Sequence, residues 1–416
     1  MTELRILICG AGCAGPTLAY WLSRAGHRVT VVERFDSLRA SGAQVDIRGH
    51  GIDVVERMGL LDTVRSRLVD EKGVRFVNSN GDVKATILVD KSRKSQQSVT
   101  SEMEIMRGDL VEILYNATKD DERVNYIFGK TVESFEDSEN QVVAHFSDNS
   151  HDKFDLLVGA DGQGSRIRQK IQLVDSNCYR KFGIYGGYWF VPRTETDTKF
   201  LHIYNISGGR LIMRRTHNQT ESQVYFVFRD ESESEELAGF ARAPVEQQKQ
   251  FLAEKFRDAG WETSRFLKGL HGASNLYCQE VVQVVTDTWS KGRVVLLGDA
   301  AYCPSPFSGL GTTGSFVGAY VLAGEIARNP ENLPLALQNY DRKLRPFVNE
   351  IQILNRFRLR AAFLHSQWLI NLRLAVIAFL CSLGVPRLVS NFVRDKSDWE
   401  LPQYHELHGG NETEDD

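Results

Sequence analysis

Little in this chain marks it for metal, nucleic acid or a membrane span. Its six cysteines, Cys9, Cys13, Cys178, Cys278, Cys303 and Cys381, are scattered, and no two form a C-x-x-C pair. That argues against a zinc site or a redox dithiol, so no metal is expected. Cys9 and Cys13 read as small packed residues. No long block of Lys or Arg occurs and the net charge is −4, so nucleic acid is not an expected partner. Leu374 to Val385 is a run of twelve residues without charge, whereas a helical span takes about 20. The first strand begins almost at once, which leaves no room for a signal peptide and predicts a reducing, cytoplasmic compartment. No repeat or low-complexity segment stands out.

With 42% hydrophobic and 25% charged residues, the composition is that of an ordinary globular protein of roughly two to three domains. Leu4 to Cys9 is a short apolar run suited to a buried parallel strand. Gly10-Ala11-Gly12-Cys13-Ala14-Gly15 follows it. In that pattern Gly10 permits the tight turn, Gly12 lets backbone approach a pyrophosphate, and Gly15 lets the helix pack on the strand. Leu18, Ala19, Leu22 and Ala25 continue at helical spacing to a Gly26 C-cap. Val29 to Val32 is the next strand, and Glu33 lies 23 residues after Gly10. There a carboxylate accepts ribose hydroxyls and repels a 2′-phosphate, so this segment suits FAD or NAD rather than NADPH.

A second glycine-rich segment lies almost 300 residues on. Arg293 to Leu297 reads as a buried strand with Gly298-Asp299 at its C-terminal end, where α/β proteins bind ligands. A glycine–proline stretch follows, and a helix starts at Gly311 with its N–H groups aimed at a negatively polarised ligand atom. Asp299 reads as a helix N-cap or as a ligand-holding acid. A bound NAD needs one such segment, whereas a long FAD uses both.

Between the two, the chain changes style. Val74–Asn78 and Lys84–Val89 flank a strong Asn80-Gly81 hairpin turn, and Lys91 to Thr100 is expected to be an exposed loop. Met106 to Leu110 opens a helix, and Asp155 to Gly159 is another buried strand. Phe182 to Val191, Phe200 to Ile206, Leu211 to Met213 and Val224 to Phe228 read as an antiparallel sheet. A helix with Pro244 in its first turn and Gly260 at its end follows. The predicted fold class is α/β (α+β overall): a Rossmann-like domain with an inserted antiparallel-sheet domain and a C-terminal helical segment. The expected divisions are 1–172 with 277–345, then 173–276, 346–395 and a polar acidic tail at 396–416. The 74–100 hairpin is a candidate member of the inserted domain.

Three motifs together resemble the class A flavoprotein monooxygenases of the para-hydroxybenzoate hydroxylase fold, closest to the branch of tetracycline-inactivating monooxygenases and fungal secondary-metabolite hydroxylases. Gly10, Gly12 and Gly15 with Glu33 match the family's FAD fingerprint. Asp161-Gly162 matches its D-G motif, and Gly298-Asp299 its G-D motif, whose Asp holds the flavin ribitol. The resemblance covers roughly residues 1 to 345. It implies FAD as cofactor and NADPH or NADH as transient co-substrate, with no second complete G-x-G-x-x-G to hold the latter. It implies that O2 adds at the flavin C4a and that the hydroperoxide delivers one oxygen atom to a small aromatic or polycyclic metabolite. Arg107 matches a family Arg on the FAD ribose and phosphates, where a guanidinium fork binds two oxygens at once. Ala14, Arg34, Gly162, Pro306, Gly309, Gly311 and Thr312 complete the expected cofactor set.

No obligatory acid–base pair is visible. Asp46 and Arg48 belong to a loop that resembles one passing near the flavin, and they touch cofactor or substrate or pair with each other. Trp189, His202, Tyr204 and Tyr225 lie on the expected substrate sheet, as cavity lining or as plain core, and Phe307 borders the ring. The six tryptophans never fall two apart, so the W-x-W-x-I-P motif of the flavin halogenases is missing. A flavin reductase or dehydrogenase without oxygen insertion, and a non-catalytic binding protein on the same scaffold, remain as alternatives. Phe347, Ile351, Leu354 and Ala361 predict one long helix. The uncharged run beside it packs as a helical pair on the core or makes a weak interfacial or dimer contact. The oligomer is a monomer or a homodimer.

Overall fold

The computed structural model describes residues 2–38, 42–88, 103–171, 178–232, 235–383 and 399–407. The expected loop at Lys91–Thr100, the 172/173 division, Val385, Arg387 and the tail beyond Gly409 lie outside them.

The chain opens with β1 (Arg5–Cys9), α1 (Ala14–Arg24) and β2 (Arg28–Glu33), then β3 (Gln44–Asp46), α2 (His50–Arg57) and α3 (Leu61–Arg65). The hairpin β4 (Gly73–Val77) and β5 (Val83–Leu88) precedes β6 (Glu104–Met106) and α4 (Arg107–Asn116). Next come β7 (Val124–Phe128), β8 (Val132–Asp137), β9 (Val142–Phe146), β10 (His151–Phe154), β11 (Leu156–Gly159) and α5 (Arg166–Ile171). The middle region holds β12 (Tyr179–Pro192), β13 (Leu201–Ile206), β14 (Arg210–Thr216) and β15 (Glu221–Arg229). It continues with α6 (Glu235–Phe240), α7 (Val245–Phe256), α8 (Thr263–Gly272) and β16 (Tyr277–Val284). β17 (Ser290–Lys291), β18 (Val294–Leu296), α9 (Asp299–Tyr302), α10 (Gly311–Arg328), α11 (Leu333–Ile351), α12 (Arg356–Ala362) and α13 (Gln367–Ser382) follow.

Two large sheets organise these elements. The first has the order β17-β18-β11-β1-β2-β7 and is parallel except at β17. Its inner strands are apolar on both faces because helices cover both. Ile6, Leu7, Ile8, Leu156, Leu157, Val158, Val294 and Val295 are fully buried. The register sets Cys9 beside Gly159 and Gly159 beside Leu296. Three segments remote in sequence therefore leave the sheet side by side, at the strand ends where such folds bind ligands. α10, buried from Thr312 to Ala327, packs on α1 behind them.

The second sheet has the order β16-β12-β15-β14-β13-β4-β5. Its core is antiparallel, and the early hairpin joins it through a parallel β13–β4 contact. β16, which the sequence division leaves with the first domain, is hydrogen-bonded to β12 in this sheet. Strand alternation gives the sheet two apolar faces. One, with Trp189, Tyr204, Ile212, Phe226 and Phe228, packs on Leu252 and Phe256 of α7 and on Phe266 of α8. The other, with Ile184, Leu211, Val227 and Val281, packs on Phe363.

Two expectations need correction. Gly260 does not end α7, which stops at Phe256. Gly260 instead packs on the Ser79 backbone, where an added Cβ would lie 2.6 Å from the Ser79 carbonyl. The single C-terminal helix is two, broken after Ile351. Gln283 donates to the Gln352 carbonyl (2.8 Å) and Gln352 donates to the Val284 carbonyl (2.7 Å), so the chain is tied to β16 where the helix would have continued.

Candidate active site

At the strand ends Gly10 takes φ 114°, and an added Cβ would stand 2.5 Å from the Ala160 carbonyl oxygen and 3.2 Å from the Asp161 Cα. The first glycine motif thus leans directly on the D-G motif. A Cβ on Gly15 would overlap the Gly10 carbonyl. One on Gly12 would project toward the Arg107 guanidinium, 3.4 Å from Nη2. Gly298, at φ 63°, touches the first turn of α1, its absent Cβ 3.2 Å from the Cβ of Ala14. A Cβ on Gly311 would lie 3.8 Å from Asp299 Oδ1. The register of the first sheet therefore brings Gly10, Gly12, Ala14, Gly15, Asp161, Asp299 and Gly311 together, and Arg107 joins them from the start of α4.

The carboxylates differ in their surroundings. Glu33 braces the glycine turn, accepting from the Ala11 N–H (2.9 Å) and the Phe35 N–H (3.2 Å). Asp161 Oδ2 caps α5 through the N–H groups of Arg166 (2.7 Å) and Ile167 (3.3 Å), while its Oδ1 is buried without a partner. Burial pushes the Asp299 carboxyl above its ordinary range, against the pull of the Cys303 thiol and Arg107. Arg34 is exposed over the Phe35 ring (4.9 Å) and takes no part in the cluster.

The loop after a single 3-10 turn at Pro306–Ser308 closes the other side. Gly309 adopts φ 66°, and its absent Cβ would face Asp46 Oδ2 at 3.2 Å and Arg48 at 3.7 Å. Asp46 and Arg48 pair at 2.8 Å. Thr313, beside the expected Thr312, holds that loop: its hydroxyl accepts from the Arg48 N–H (3.0 Å) and donates to the Arg48 carbonyl (3.1 Å).

The substrate-sheet candidates split between the two faces. Tyr225 lies on the face toward the glycine segments, 5.5 Å from the Tyr188 ring, and its hydroxyl donates to Gln223. Gln223 donates in turn to the Gly42 carbonyl (3.2 Å). Phe307 meets Phe363 edge-on at 6.1 Å on the same side. Trp189, His202 and Tyr204 lie on the opposite, helix-covered face, which corrects their expected place beside a substrate. Trp189 donates to the Phe266 carbonyl (3.2 Å), Arg214 donates to His202 Nδ1 (2.7 Å), and Tyr204 meets Trp261. Period-two alternation groups residues by face but does not say which face looks at the site.

Several contributors carried no motif. Arg168, buried, joins the D-G and G-D segments by donating to the Ala300 (2.8 Å) and Gln163 (2.6 Å) carbonyls. Its signal is an arginine on the inward side of a short helix. Arg215 binds Glu71 through two bonds (3.1 and 3.0 Å) and Glu104 at 2.6 Å, joining β14 to β6. Burial lifts Glu104 to about 7, although Arg215 pulls the other way. Gln44, on β3 beside this cluster, has both side-chain polar atoms buried without partners.

These residues fit a bound FAD. Gly12 opens a cradle facing a guanidinium that forms no hydrogen bond or ion pair with another described side chain, and Asp161 presents an unpartnered buried oxygen. A glycine-rich nucleotide turn joined to a second strand-end acid and a second helix N-terminus defines the class: a flavoprotein of the two-sheet type. The chain belongs to the FAD binding domain family, whose model matches residues 3–352. It is an FAD-dependent monooxygenase, and NAD(P)H is the usual reductant of such enzymes. The FAD-dependent monooxygenase asL4 of Sarocladium schorii is 37% identical over 98% of this chain and 99% of its own length. The flavin-dependent monooxygenase eupH of a Phoma species is 41% identical over 84% and 85%. Among solved structures, the tetracycline destructase Tet(51) superposes with TM-score 0.76 at 30% identity, covering 97% of this chain and 100% of that one. Among the described residues no helix is long and apolar enough to cross a membrane, and no group of His, Cys, Asp or Glu could hold a metal.

Proposed function

We propose that this enzyme inserts one oxygen atom into an oxygen-bearing aromatic or polycyclic small molecule held between the Pro306–Gly309 loop and the Tyr225 face of the second sheet. One observation carries the reading: Tyr225, against Tyr188, packs in the same apolar cluster as Phe363, which meets Phe307, and the Tyr225 hydroxyl is bonded by the backbone of Gln44, whose buried amide is unsatisfied. Aromatic walls suit a flat ligand. An orphaned buried amide suits one with hydroxyl or carbonyl groups, because each unmade hydrogen bond costs about 1–3 kcal/mol.

When bound, FAD supplies the redox chemistry, taking electrons from NADPH or NADH and activating O2. The chain's residues supply the rest. Gly12 and Arg107 seat the pyrophosphate, Glu33 the adenosine ribose and Asp299 the ribitol. Gly311 and Thr312, at the N-terminus of α10, stabilise negative charge on the ring. Asp46 and Arg48, clamped by Thr313, lie on the substrate side of that loop. Gln44 and Tyr225 orient the substrate, and the aromatic wall excludes water. The tetracycline destructase likeness supports a polycyclic substrate, and an interfacial contact through α13 is part of the same reading.

Anaerobic stopped-flow reduction by NADPH and by NADH, followed by mixing with oxygen, tests it. A transient absorbing species before reoxidation, with product formed from an oxygenated polycyclic substrate, is the expected outcome. Direct reoxidation with no transient and no oxygenated product across such a panel would favour a dehydrogenase.

A further inference from the structure

α13 is apolar on both of its sides. Ile370 and Leu374 are buried where the helix packs on β5 and β13. On the opposite side Trp368, Leu372, Val376, Phe379 and Leu383 recur every three or four residues and are exposed, Trp368 at 68% and Phe379 at 63%. A helix hydrophobic all round is normally covered all round, and a contiguous exposed apolar stripe marks an interaction surface.

Charge indicates what covers it. The sequence holds no Asp or Glu between Glu350 and Asp395, yet Arg356, Arg358, Arg360, Arg373, Arg387 and Arg394 fall there, in a chain of net charge −4. Arg373, the one charge on α13, is half-buried and donates to the Ala361 carbonyl, so it does not interrupt the stripe. Arg360 is exposed. An exposed tryptophan among aliphatic residues, in a stretch of sequence that holds arginines and no acid, is the pattern of a helix lying in an anionic bilayer interface. A second copy of the chain would set this basic segment against itself across a two-fold contact. At 16 residues the helix is about 24 Å long, suited to lying in the interface plane.

We propose that the α13 stripe docks this enzyme reversibly on an anionic lipid surface. This gives the interfacial contact named above one occupant, and it stands or falls independently of the flavin chemistry. The surface adjoins the substrate side, since Phe363, four residues before α13, faces Phe307.

The test is sedimentation of the FAD-loaded enzyme with vesicles of phosphatidylcholine alone and of phosphatidylcholine mixed with phosphatidylserine. Binding to the mixed vesicles only, weakening with salt, is expected. Trp368→Asp with Phe379→Asp should abolish it while FAD is retained. Should that pair lose FAD, Trp368→Ala with Phe379→Ala replaces it and should weaken binding at least tenfold, from the apolar area lost. Arg358→Glu with Arg360→Glu should lower the partition coefficient about fivefold per charge. No binding to either vesicle, or equal binding to both, overturns the proposal. So does a dimer in sedimentation velocity that the aspartate pair dissolves, which would assign the stripe to a second copy.

Discussion

Asp299 sits half-buried behind Gly298, whose φ of 63° and close neighbours Ala14 and Ser315 leave little room for a side chain. With the ribitol role proposed for it, Asp299→Ala should raise the FAD dissociation constant roughly 10- to 100-fold, the worth of one charge-assisted bond. Flavin fluorescence titration of the apoprotein measures this, and unchanged affinity would remove Asp299 from the ribitol. Gln44 presents the reverse case. Two orphaned polar atoms make it a burden on the fold, so Gln44→Leu should stabilise the substrate-free enzyme by about 1–2 kcal/mol while weakening substrate binding. Urea denaturation checks the first half and KM the second; a destabilised variant would mean that the amide has a structural role. Asp299 was legible in the sequence because glycine and an acid at a strand end form a pattern. Gln44 was not, since one amide in a three-residue strand has no periodicity to betray it.

The strands of the first sheet were legible as apolar runs, because burial on both faces leaves no polar positions. In the second sheet alternation sets His202 and Tyr204 on one face, but only the packing of α7 and α8 shows that this face is turned away from the cofactor side. His202 is accordingly a packed, neutral histidine: burial lowers it to about 4, and Arg214 adds to the effect. The unfolded chain takes up that proton near 6.5 and the folded chain only near 4, so stability is lost as pH falls through this window. His202→Gln should remove about 3 kcal/mol of that acid sensitivity, measured as the difference between the two urea-stability profiles from pH 7 to 4. Glu104, lifted to about 7, works in the other direction and is common to both proteins. Between the sheets, Arg215→Ala would leave Glu71 buried without its cation and Glu104 protonated, and should cost about 3–5 kcal/mol at neutral pH. A urea midpoint unchanged from wild type would show the cluster to be dispensable. The broken C-terminal helix escaped the periodicity for a related reason: its stop lies in Gln283 and Gln352, a tertiary contact between distant segments.

The proposed cofactor contacts run from Gly10 to Thr312, so ligand binding is spread over most of the chain. Saturating apoprotein with FAD at 100 times its dissociation constant should add about 2.7 kcal/mol to stability, and calorimetry should show the unfolding of both sheets moving together. A transition that stays put would confine the site to one sheet. The same topology shapes how the molecule is made. β11 bonds β18, and Val294 follows Arg5 by 289 residues (294 − 5). At ribosomal rates of about 5–20 residues per second, roughly 15–60 s separate the first strand from the last inner one. For the second half of that interval, from their own synthesis until that of Val294, Leu156, Leu157 and Val158 wait on the nascent chain without their outer neighbour. Recombinant yield should therefore follow chaperone supply and translation speed more closely than the stability of the finished enzyme.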